Sequence, residues 1–244
     1  MKVIRIGRRA RLVLLLLGIA MLCPSCFYSR LLSFKQQLGL FDKYVVITNG
    51  GHTLEFLKPV VETDDLTSLT GISPSRIDRI AADQQVHTYR YRCILPRETN
   101  GTPQVLSFSL RFSANKLCAA DYPPALADVL GTNLVVAAVK AVGDSRLLQR
   151  ERKLEWALGP NQTTKLIPSL ADVTKVLGPS QDTNGVPSSS QANYLYLLEG
   201  TNGNTIADAM LKANFSFDPK SSLMRHCVVK LGSLELEVDL PVSP

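Results

Sequence analysis

Two cysteines stand three residues apart in MLCPSCFYSR, residues 21–30, directly after a run of leucines. Such a pair can exchange disulfides, hold half of a zinc site, or offer a thiol for covalent modification. Each chemistry asks for different surroundings. A redox C-x-x-C opens a helix in a βαβ-type domain, and no strand pattern precedes Cys23. A structural zinc site needs a second ligand pair at matching spacing, and the chain has none. Processing and modification remain.

The segment before the cysteines carries Lys2, Arg5, Arg8, Arg9 and Arg11, then the apolar run Leu12 to Leu22. That run has the length of a signal-peptide core and falls short of the ~20 residues that span a bilayer. Small residues, Cys23, Pro24 and Ser25, stand before Cys26. The string L-C-P-S-C resembles the lipobox of bacterial lipoproteins. The resemblance implies a signal peptide over 1–25, cleavage before Cys26, and acylation of Cys26 as the mature N-terminus. Cleavage before Cys23 would place bulky Leu22 at the cut. Ordinary secretion and a retained signal-anchor are the alternatives. Phe27 is not the acidic residue that holds some lipoproteins at the inner membrane, so the expected place is the bacterial envelope, facing the periplasm, with the outer membrane favoured.

The same segment accounts for the net charge. The chain has 27 basic and 21 acidic residues, a formal charge of +6, and five of the basic groups lie in the first eleven positions. The remaining 22 nearly balance the acids. Later basic clusters are confined to Arg146, Arg150, Arg152 and Lys153 and to the Arg90, Arg92 pair, too little for a phosphate-binding surface. Nucleic acid is not an expected partner. With 45% hydrophobic and 20% charged residues, neither disorder nor a multi-span membrane protein fits.

Beyond the N-terminus the reactive residues are Cys93, Cys118 and Cys227 with His52, His87 and His226. Cys93 and Cys118 lie in strand-like segments and form a candidate disulfide in an oxidising compartment. Buried, unpaired thiols are the competing reading for all three cysteines. His87, six residues before Cys93, could serve it as a base across a bend, which makes a thiol-dependent periplasmic enzyme using Cys93 or Cys227 the alternative function. No glycine turn of the oxyanion type accompanies them, and His87 reads as the start of a strand. TNGGH and EGTNGNT lack the ending of a phosphate loop. No metal site or cofactor is expected.

The elements that must position these residues recur along the chain. Leu54-Glu55-Phe56 returns as Leu154-Glu155-Trp156, Asp65-Leu66-Thr67 as Asp172-Val173-Thr174, Tyr89-Arg90-Tyr91 as Tyr194-Leu195-Tyr196, and Phe112 as Phe217. Order is kept and the offsets stay between 100 and 107, the mark of a duplication. In PSLADVTKVLGPS, Ser169 is placed to cap a two-turn helix and Asp172 to complement its N-terminus. Val173, Val176 and Leu177 give an apolar stripe, Gly178 a left-handed stop and Pro179 a block. The first copy offers Thr63 as cap and Gly71 as stop. The tyrosine segments begin strands, Asn202-Gly203 is a hairpin turn, and SLELEVDL alternates like a sheet with one wet face. Pro124 opens a longer helix with a break expected at Gly131, and the boundary between copies falls near 150. The stretch 179–191 reads as a polar loop.

The pattern carried by Ala171-Asp172-Val173, Leu177-Gly178-Pro179, Tyr194, Tyr196, Phe215 and Phe217 is similar to the module of the SmpA/OmlA (BamE-type) outer-membrane lipoproteins and the tandem-repeat beta-lactamase inhibitor protein. The stretch after Cys26, YSRLLSFKQQLGLFDKYVVI, also resembles a group of bacterial lipoproteins. The resemblance implies an α+β fold of two helix-plus-antiparallel-sheet modules, 26–150 and 151–244, behind the signal. It implies a membrane tether through the lipid anchor and no reaction; the expected function is therefore a non-enzymatic binding or envelope-scaffold module whose partner is another envelope protein.

Overall fold

The structure, a computed structural model, describes residues 25–94, 104–148, 153–157, 167–181, 190–232 and 234–240. The expected signal peptide lies almost wholly outside these residues, as do the expected boundary near 150 and positions 182–189 of the expected polar loop.

The fold is α+β. Helix α1 (Ser25–Gly39) and a short turn of helix, α2 (Phe41–Tyr44), lead into the hairpin β1 (Val45–Thr48) and β2 (Thr53–Phe56). Helix α3 (Thr63–Thr70) is followed by β3 (Arg76–Ala81), β4 (Gln84–Cys93), β5 (Val105–Ser113) and β6 (Lys116–Asp121). Helix α4 (Pro124–Asp144) connects to β7 (Arg146–Leu148) and β8 (Lys153–Ala157). Helix α5 (Leu170–Leu177) then precedes β9 (Gln191–Glu199), β10 (Thr205–Phe217), β11 (Met224–Leu231) and β12 (Leu234–Asp239).

These strands form one sheet in the order β1-β2-β6-β5-β4-β9-β10-β11-β12-β8-β7, with β3 against the first half of β4. Pairing is antiparallel except between β12 and β8. The halves of the chain meet where β4 pairs β9 over three rungs: Tyr91 faces Leu198, Arg92 faces Leu197 and Cys93 faces Tyr196. Strand alternation sorts residues between two faces. Tyr91, Cys93, Leu106, Tyr194, Tyr196 and Leu198 turn to one face, under Val173, Val176 and Leu177 of α5. A second core gathers Leu38, Phe41, Val45, Phe56, Val61 and Phe112 beneath α1 and α4.

Helix α5 starts as its sequence requires. The Ser169 hydroxyl accepts from the Asp172 amide at 3.2 Å, and Asp172 Oδ2 accepts from the Ser169 amide at 2.9 Å. Helix α3 starts one residue earlier than the Thr63 cap expected from sequence. Its cap is Glu62, because Asp65 Oδ2 reaches back to the Glu62 amide at 2.8 Å while the Thr63 hydroxyl donates to Asn115 at 2.6 Å. Gly71 takes the left-handed conformation that ends α3, with φ 72° and ψ 11°. Gly178 shares the positive φ but leaves α5 extended, with ψ −171°.

Helix α4 runs through Gly131 without the expected break. A lone glycine costs a helix about 1 kcal/mol, which the packing of Val135, Val136, Val139 and Val142 offsets. The α1–α4 contact depends on two further glycines. A methyl group on Gly143 would overlap the Gly39 backbone, and Lys35 Nζ donates to the Gly143 carbonyl at 2.7 Å across the same crossing.

Candidate functional site

The uncovered face of the sheet is built from the residues that alternate with the core. On β4 these are Arg90 and Arg92, on β5 Val105 and Ser107, on β9 Leu195, Leu197 and Glu199. One rung runs Val105, Arg92, Leu197 and another places Ser107 beside Arg90. At its centre lies a small apolar island. Val105 and Ile94 are 37% and 39% exposed, and Leu195 and Leu197 are half-buried.

Glu199 is the fixed point of this face. Its side chain is only 6% exposed, and it accepts from Arg92 Nε at 2.7 Å while Arg90 Nε lies 3.3 Å from its other oxygen. Both arginines remain about half exposed, at 52% and 48%. The arrangement is a buried carboxylate that holds two guanidinium groups by their inner edges and leaves the outer edges to solvent. Arg90 and Arg92 stand out in the sequence as an isolated basic pair. Glu199 does not, because only the β4–β9 register brings it there from 107 residues away.

The thiols sit elsewhere. Cys93 is buried on the core face, where Gln181 Nε2 donates to its sulfur at 2.8 Å. Burial raises its pKa, against a smaller opposing effect of that hydrogen bond. Cys227 is buried too, and desolvation pushes its pKa up to about 12. Both are therefore thiols rather than thiolates at neutral pH. Cys118 is half-buried and donates to the Arg111 carbonyl at 3.2 Å.

The candidate pair Cys93 and Cys118 is not bridged, and both are free. Cys93 donates its amide to Gln104 before β5 begins, whereas Cys118 lies beside Arg111 near its end. Seven residues of strand, about 23 Å, separate those positions, and a disulfide needs Cα atoms within about 7 Å.

The histidines serve the framework. His87 lies inside β4 rather than at its start, buried against the Phe112 ring at 4.7 Å between centroids, with Nε2 3.3 Å from Gln85 Oε1. Desolvation lowers its pKa. Six residues of one straight strand, about 20 Å, keep it from Cys93. His226 Nδ1 lies 2.8 Å from Asp239 on the neighbouring strand, and Tyr122 closes the His52 turn by donating to the Gly51 carbonyl.

Among the described residues no three His, Cys, Asp or Glu side chains are placed to hold a metal ion, and no helix is long and apolar enough to cross a membrane. Cys26 is the second residue of α1. No protein-family model matches the chain, and neither the curated proteins nor the solved structures contain a match.

Proposed function

We propose that this chain is a bacterial lipoprotein, tethered by acyl chains on Cys26 and facing the periplasm, which binds another envelope protein through the uncovered face of its sheet. The observation that carries the binding role is the Arg90–Glu199–Arg92 cluster beside the apolar island. A preorganised pair of cations next to partly exposed Val105, Ile94, Leu195 and Leu197 is the composition of an interface centre, apolar with arginine. The buried, protonated state of Cys93 and Cys227 weighs against the thiol-enzyme alternative.

The body is a tandem of two related modules of the BamE and beta-lactamase inhibitor type, 26–150 and 151–244. Strand order supports this. Outward from the seam, β4-β5-β6-β2-β1 is answered by β9-β10-β11-β8-β7, with β12 inserted between β11 and β8. The register supports it as well. At the repeat spacing of 105, Tyr91 corresponds to Tyr196 and Cys93 to Leu198, and each faces the other's counterpart. The modules thus meet as two copies do about a two-fold axis.

Two experiments test the reading. Fatty-acid labelling of the wild type and of Cys26→Ala tests the tether, and label retained in the variant would sink it. Affinity purification of the detergent-solubilised full chain tests the face. Proteins captured by the wild type should be lost from an Arg92→Glu, Leu197→Asp variant, and an unchanged set removes the face from consideration.

A further inference from the structure

Strand β3 is the most exposed strand among the described residues. It pairs with β4 on one side, from Arg76 opposite Thr88 to Ala81 opposite Gln84, and with no other described strand. Five of its six residues are exposed, with Ile77 at 53% and Ile80 at 66%. A bulge at Ile80, between Arg79 and Ala81, blunts the far end of this edge, and the regular run Arg76–Arg79, with Ile77 bare, is left as a template for another strand. The charges on β3 select the strand that fits.

We infer that β3 pairs antiparallel with β3 of a second copy of this chain, with Ile77 opposite Ile77. Two-fold symmetry requires one residue to face itself, so the choice is among the six positions of the strand. Centring on Arg76, Asp78 or Arg79 sets like charges directly opposite each other, which destabilises a sheet. Centring on Ile80 falls on the bulge and makes no charge pair, and Ala81 lies beyond the bulge at the turn into β4. Centring on Ile77 places Arg76 opposite Asp78 of the partner strand, twice.

The local geometry is already arranged for this. Arg76 and Asp78 bridge at 2.7 Å on one face of β3, with Arg76 72% exposed, so four charges of alternating sign would close into one cluster. Ile77 is on the other face, in register with His87. The joined strands would carry the apolar row of β4 from His87 through Ile77 to its symmetry mate.

Site-specific crosslinking of the full-length chain in membranes tests the register. Under oxidation, Ile77→Cys should give a band at twice the monomer mass, at several-fold the yield of wild type and of Arg79→Cys, whose residue would face Ser75. In the Ile77→Cys background, Asp78→Arg should cut that yield several-fold, and Arg76→Asp with Asp78→Arg should restore it. Equal yields at positions 77 and 79, a bond from the introduced thiol to a different polypeptide, or indifference to the charge reversals overturns the pairing. So does a detergent-purified wild-type chain that scatters light as a monomer at tens of micromolar.

Discussion

Arg30 and Asp65 meet through two hydrogen bonds of 2.7 and 2.6 Å, although 35 residues separate them. Asp65 is the residue that closes the cap of α3, and its side chain is 2% exposed. Burial alone would raise its pKa, but the Arg30 hydrogen bonds, the Glu62 amide and the Arg30 charge together hold it below the ordinary carboxylate value. One side chain of α1 thus fixes both the start of α3 and the protonation state of its cap.

Removing that partner leaves a buried charge. Arg30→Met is expected to destabilise the chain by about 3 kcal/mol, the scale of a broken buried pair. Asp172→Asn, at the solvent-facing counterpart, should cost about 1 kcal/mol, the scale of a helix cap. Urea melts of the two variants measure the difference. Because the folded pKa of Asp65 is depressed, its contribution is complete above the unfolded carboxylate range and fades as pH falls through the folded pKa. Arg30→Met should therefore flatten the acid limb of stability below about pH 4.

His87 acts over a different range. Burial depresses its pKa, so the unfolded chain binds the proton first and stability falls as pH drops below about 6.5. His87→Leu, in the same slot against Phe112, should remove the slope between pH 7 and 5. An unchanged slope in that variant assigns the effect to another group.

Thiol reactivity separates the three cysteines. At pH 8, in the folded chain with Cys23 and Cys26 changed to alanine, an aromatic disulfide reagent should modify Cys118 well before Cys93 or Cys227, and Cys118→Ser should abolish that early phase. Fast modification of Cys93 or Cys227 would revive the enzyme reading.

The helix crossing is sensitive to a single carbon. Gly143→Ala has no room against the Gly39 backbone, and it should cost about 1–3 kcal/mol, as overpacking does. Ala137→Gly on the same helix should cost no more than about 1 kcal/mol, through propensity. Thermal melts of the pair read the contrast.

Where local chemistry dictates structure, the sequence anticipates it. Ser169 with Asp172, the alternation of Tyr194, Tyr196 and Leu198, the Asn202-Gly203 turn and the Pro124 start are set by residues within a turn of each other. What was not legible depends on partners distant in the chain. Thr63 lost the cap to Glu62 because Asn115 drew its hydroxyl away. Helix α1 buries its polar Gln37 against the fold, a placement that its own pattern does not state. The uncovered face of the sheet was half legible. Alternation puts Arg90 and Arg92 outward, but a strand's own pattern does not state which strand will lie beside it, so Glu199 was missed.

The seam between β4 and β9 bears on how the chain is made. Ile72, Tyr91, Cys93 and Leu106 come from the first half, yet they complete the core closed by α5 and β9. A chain growing from its N-terminus therefore presents Tyr91, Cys93 and the β4 edge to its surroundings until the strand Gln191–Glu199 has followed. In that interval the first half is an unfinished sheet whose missing strand is still being synthesised. Protection of that edge during translation falls to whatever accompanies the nascent chain.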